Sequence, residues 1–127
     1  MKLKNIVLSL FLLVLFGIAT YGYWYSTTSP YYITASEGKA GIAQKRYNVV
    51  LDVRTPIERA TLGFYPGSIH IPVNELRARI GKEIPDKNTT ILIYCNTGQR
   101  ARKAAELLQS LGYKNTHYIA TSHIFLY

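Results

Sequence analysis

The chain has 127 residues, 48% of them apolar and 13% aromatic, which excludes a disordered polymer and leaves room for one small domain. Its 15 Lys and Arg against 7 Asp and Glu give a net charge of +8, but the basic residues are scattered and no aromatic–basic platform accompanies them, so a nucleic-acid partner is not expected. The single cysteine, Cys95, excludes an intrachain disulfide and a multi-cysteine zinc site; His117 and His123 lack partners at ligand spacing, so no metal is expected.

Lys2 and Lys4 precede an uncharged run from Ile6 to Tyr25, 20 residues that span about 30 Å as a helix, the thickness of a bilayer's hydrocarbon core. Tyr21, Tyr23, Trp24 and Tyr25 cluster at its far end, where amphipathic rings favour the membrane–water interface. Residues 1–25 therefore read as a single-pass transmembrane signal anchor. With positive charge only at the amino end, the domain lies on the non-cytoplasmic (periplasmic or extracytoplasmic) side. A cleaved signal peptide is the alternative, because Gly17-Ile18-Ala19 resembles a small-x-small site; the product would then be secreted or periplasmic. Residues 26–32, STTSPYY, read as a linker, and 33–127 as one domain.

Thr34 to Tyr47 reads as a helix capped by Ser36, with Ala40, Ile42 and Ala43 as a weak apolar face. NVVLDVR is β-branched and apolar on both faces, as in a strand buried in a parallel sheet. Thr55-Pro56 opens a short helix with Glu58 in its first turn. YPGSIHIP gives a Pro-Gly turn and a short strand, with His70 a packed, hydrogen-bonded histidine. Asn74 is placed to cap a helix from Glu75 to Ile80 that Gly81 ends. ILIY, Ile91 to Tyr94, is another buried strand. A helix from about Arg100 to Leu111 follows, apolar at Ala101, Ala104, Ala105, Leu107, Leu108 and Leu111 and stopped by Gly112. THYIA supplies a last strand. The alternation defines the class: α/β, a parallel sheet flanked by helices, preceded by one N-terminal hydrophobic helix.

Between ILIY and the last helix lies CNTGQR. A lone cysteine is an inert buried thiol, a reactive nucleophile or an intermolecular link. Here it sits at the carboxyl end of a strand, where ligands bind in such sheets, and just before a helix amino terminus, where unpaired N–H groups and the helix dipole favour a thiolate. Gly98 lets the backbone turn its amides toward an anion, and Arg100 adds a forked cationic donor. The loop is expected to be an anion nest that keeps Cys95 ionised and open to solvent. The basic excess, Arg102 and Lys103 included, would draw an anionic substrate toward this end.

The segments VVLDVRTPIE, YPGSIHIPVNEL and ILIYCNTGQRARKAAELLQSLGY, in this order, resemble the rhodanese-like sulfurtransferases over about Ile33 to Tyr118, most nearly the exported single-domain type. The resemblance implies a rhodanese-type enzyme that moves a sulfane sulfur from thiosulfate or a persulfide to a thiophilic acceptor through a Cys95 persulfide. It implies that Asn96, Thr97, Gly98, Gln99 and Arg100 cradle the persulfide and bind the anionic donor. Asp52, Arg54 and Glu58 would frame the pocket, Arg54 pairing with Glu58 or Asp52. No cofactor is needed, and a monomer is expected. The alternatives are a catalytically inactive membrane-tethered binding or sensing module, and a redox relay through a mixed disulfide. Phosphatase chemistry fits less well: Arg100 lies five positions after Cys95, one short of the spacing in tyrosine-phosphatase-like loops. Two departures stand out. LGFYPG lacks the histidine that relatives often carry before the Pro-Gly turn. IATSHIFLY replaces a Gly-Gly turn and further helix, so either the tail packs as a last turn or part of the pocket wall is missing.

Overall fold

The structure, a computed structural model, describes residues 2–127. Helix α1 runs from Leu3 to Thr27. It is exposed as far as Tyr21, and its last turns, at Gly22, Tyr25 and Ser26, pack against the domain. Four parallel strands follow: β1 (Val49–Asp52), β2 (Ile69–His70), β3 (Ile91–Tyr94) and β4 (Thr116–Tyr118), in the order β2-β1-β3-β4. From β1 the chain steps outward to β2 and then returns to β3 on the other side. Strand order therefore reverses between β1 and β3, and the carboxyl ends of these two strands carry Arg54 and Cys95.

Strand β3 is buried on both faces, and its two-residue period divides the core. Ile91, Ile93 and Cys95 face a cluster that includes Leu76 and Ile80 of helix α4 (Leu76–Glu83) and Ala101, Ala104, Ala105 and Leu108 of helix α5 (Gln99–Ser110). Leu92 and Tyr94 face Ile119, Leu126 and Ile42, the last from helix α2 (Ala35–Ala43). Helix α3 (Pro56–Leu62) connects β1 to β2. The class expected from the alternating pattern is the one observed.

Four local expectations change. Thr34, not Ser36, caps α2, because Glu37 stands three residues on and closes a capping box with it. Asn74 caps nothing: it lies inside a 3₁₀ turn, Val73–Glu75, and α4 starts at Leu76 without a side-chain cap. Gly81 does not end α4, which runs on to Glu83; Ile84 is buried and precedes Pro85, which disfavours helical backbone there. Residues 26–32 are packed, with Ser26 and Ser29 buried and Tyr32 bridged to Tyr118 at the edge of β4.

The tail forms a 3₁₀ turn, His123–Leu126, with His123 and Leu126 buried; Leu126 Cδ2 lies 3.3 Å from where a Cβ on Gly38 would be. Of the two expectations for the carboxyl end, the packed last turn is the one observed.

Candidate active site

Cys95 leaves β3 directly above the point where strand order reverses. Its Sγ accepts the Gly98 N–H at 3.0 Å, so the loop bends back on its own sulfur. Gly98 makes this possible. It holds φ +99° as the residue before α5, a conformation open to glycine and strained for other residues. It also has no room for a side chain, since a Cβ would lie 2.7 Å from Ala120 Cβ and 3.0 Å from Ser26 Cβ.

The sulfur is not open to solvent as expected: Cys95 is 1% exposed and belongs to the core cluster. Burial alone would describe an inert thiol, but an amide aimed at the sulfur does not. The loop therefore combines a closed site with a donor already in place.

Glu58 ties the loop to α3. Its carboxylate accepts both arms of the Arg100 fork, from Nη1 at 2.6 Å and Nη2 at 2.8 Å, and Asn96 Nδ2 at 2.6 Å. It also accepts the Thr55 amide and hydroxyl, at 3.2 and 2.9 Å, as the capping box of α3. These bonds hold its pKa down at about 2, with the Arg100 hydrogen bonds as the largest cause; burial opposes them and the Thr55 bonds add to them. Arg100 is thus preorganised by a neighbour that also neutralises it.

Asp52 and Arg54 lie apart from the loop, in a buried network beneath the end of β1. Arg54 grips Asp52 through Nε at 2.9 Å and Nη2 at 2.8 Å, and Nη2 also donates to the Gly63 carbonyl at 2.7 Å. Of the two partners expected for Arg54 the structure selects Asp52, which accepts Tyr94 OH at 3.0 Å and Arg59 Nη1 at 3.2 Å as well. His70 Nε2 lies 2.7 Å from the Arg54 carbonyl, a hydrogen-bonded histidine as expected. Thr97 Oγ1 donates to Gln99 Oε1, which fixes the outer side of the loop.

The neighbours that sequence reasoning missed come from α1. Gln99 Nε2 donates to the Gly22 carbonyl at 3.3 Å, Arg102 Nη1 to the Tyr25 carbonyl at 2.6 Å, and Tyr118 OH to the Ser26 carbonyl at 2.5 Å. The Arg102 guanidinium also lies 4.1 Å over the Tyr25 ring. No local pattern marks such contacts. The one available signal was Arg102, a cation able to meet the carbonyl end of a helix.

The fold is a small parallel α/β domain whose six-residue loop after β3 carries the cysteine, an amide directed at its sulfur and an arginine. Residues 34–122 match the Rhodanese-like domain family, and the chain belongs to that family. It is 41% identical over 63 residues to the thiosulfate sulfurtransferase PspE of Escherichia coli, covering 50% of this chain and 60% of that one. It is 35% identical over 81 residues to the thiosulfate:glutathione sulfurtransferase of Saccharomyces cerevisiae, covering 54% and 58%. Among solved structures, the human single-domain sulfurtransferase TSTD1 superposes with a TM-score of 0.62 at 27% identity, covering 76% of this chain and 95% of that one. A rhodanese-related protein of Thermoplasma volcanium gives 0.60 at 33% identity, covering 71% and 83%.

Proposed function

We propose that the protein is a membrane-tethered sulfurtransferase acting through Cys95. The Cys95 thiolate attacks the outer sulfur of an anionic donor such as thiosulfate. A sulfur–sulfur bond forms, the sulfur–sulfonate bond breaks, and sulfite leaves with the electron pair of that bond. A thiolate or cyanide then attacks the outer sulfur of the persulfide and Cys95 departs as thiolate. Gly98 N–H, 3.0 Å from Sγ, is the observation that carries this reading, because it is already placed to stabilise negative charge on that sulfur. Arg100, one-third exposed beside Glu58, receives the donor's oxyanion from the solvent side. Asn96, Thr97, Gln99 and the loop backbone complete the cradle, while Asp52 and Arg54 frame it.

Helix α1 serves as the anchor, with the domain held outside the cytoplasm. Its 25 residues are long and apolar enough to cross a bilayer. Its end is built into the domain, which favours retention over cleavage.

The closed sulfur and the Glu58–Arg100 pair favour a second reading, an inactive binding module. Mass spectrometry after incubation with thiosulfate separates the two. A one-sulfur adduct on the wild type that is absent from Cys95→Ala supports the enzyme, and no adduct on the wild type supports the module.

A further inference from the structure

The last turn of α1 carries an unexplained hydroxyl. Thr20, Thr27 and Thr28 each donate to the carbonyl four residues back, to Phe16, Tyr23 and Trp24 at 2.7–2.8 Å. Ser26 makes no such bond. The carbonyl it would use, that of Gly22, accepts Gln99 Nε2 from the active-site loop instead. Ser26 is 1% exposed, and among the described residues its Oγ has no hydrogen-bond partner. Leaving a buried hydroxyl unpaired costs about 1–3 kcal/mol, a cost that an acceptor arriving with the substrate would offset; the Thr121 hydroxyl is also unpaired among the described residues. The position of Ser26 narrows what that acceptor is. Ser26 Cβ is 3.0 Å from the point a Gly98 side chain would occupy, against the residue whose amide reaches Cys95 Sγ. Ser26 is held there through its carbonyl, by Tyr118 OH at 2.5 Å.

We infer that Ser26 is a further binding residue of the cradle, with its Oγ–H donating to the anion that occupies it, either the persulfide's outer sulfur or an oxygen of the incoming sulfonate. This rests on the sulfurtransferase reading and adds to it that the anchor helix is a working wall of the site. The resting hydroxyl is unpaired because its acceptor arrives with the substrate.

The test exploits a sign difference. Ser26→Ala removes an unpaired hydroxyl, so the full-length resting protein in detergent should be as stable as the wild type or slightly more so. Persulfide yield from limiting thiosulfate should fall about ten-fold, the value of one hydrogen bond to a charged acceptor. Ser26→Thr, which keeps the hydroxyl, should recover part of that loss. A structural role would instead lower resting stability and yield together, and that result, or an unchanged yield, overturns the inference. Thiosulfate binding to Cys95→Ala and to Cys95→Ala/Ser26→Ala by calorimetry makes the test independent of turnover. About ten-fold weaker binding in the double variant supports the role of Ser26 even if the wild type forms no persulfide, and equal binding refutes it even if sulfur transfer is confirmed.

Discussion

Replacing Gly98 with alanine tests the geometry of the loop most directly. Two costs add. At φ +99° and ψ −16° an L residue is strained by about 1–2 kcal/mol. The new Cβ would also lie 2.7 Å from Ala120 Cβ and 2.8 Å from Ala120 Cα, and the second of these is backbone that cannot rotate away. Overpacking of this kind costs about 1–3 kcal/mol. A total of roughly 2–5 kcal/mol lowers the melting temperature of a domain this size by about 10–25 °C. Any relief comes from moving the loop, which takes the Gly98 amide away from Cys95, so persulfide formation should fall by about a hundred-fold or more, as when one oxyanion donor is lost. Adding Ala120→Gly removes the contact at 2.7 Å and leaves the one at 2.8 Å, so it should restore less than half of the lost stability. Thermal unfolding by circular dichroism and mass-spectrometric persulfide yield are the assays. A Gly98→Ala protein that melts within about 2 °C of the wild type and still forms the persulfide would refute the argument, since it would show that the loop is not held at Gly98.

Two further outcomes follow from charged side chains. The Glu58 carboxyl is held at about 2 against an ordinary 4.5, so its contribution is fully present above about pH 4.5 and is lost as pH falls toward 2. That contribution is bounded at roughly 3 kcal/mol by the shift and reduced to about 1–2 kcal/mol by screening at a partly exposed site; Glu58→Gln should flatten this acid limb in pH-dependent unfolding, and an unchanged limb would show that Arg100 does not hold Glu58. Arg102→Gln removes the charged donor to the Tyr25 carbonyl and the contact with its ring, so limited proteolysis within residues 26–32 should quicken about ten-fold, whereas unchanged cleavage would mean that α1 is not fastened there.

What the sequence disclosed and what it concealed follow from the range of the interactions. Strands β1 and β3 were legible because a run apolar on both faces has few other places to go. The loop was legible because Cys95, Gly98 and Arg100 lie within six residues, and strand end, glycine and helix start each leave a local mark. Glu58 is legible as a first-turn acid of α3, which the capping box with Thr55 bears out. That it also receives Arg100 and Asn96 depends on α3 and the loop meeting across about forty residues of chain, a distance that capping rules do not cover. Asn74 and Gly81 misled for a related reason: their local preferences were overridden by the packing of Leu76 and Ile84. The end of α1 was the least legible, since an aromatic belt reads the same whether it meets lipid or a protein surface.

The FYPG segment and the carboxyl-terminal residues pack on each other. Tyr65 stacks on Tyr127 with ring centroids 5.8 Å apart, and Tyr127 OH donates to the Phe64 carbonyl at 3.4 Å. His123 packs on Tyr94 at 5.5 Å, and Tyr94 OH in turn accepts the Tyr65 amide at 3.1 Å and donates to Asp52. Residues 123–127 therefore pack over the FYPG segment, next to the buried Asp52–Arg54 network. The two segments form one wall, and a change at Tyr65 or Tyr127 should be felt at the other position before it reaches Cys95.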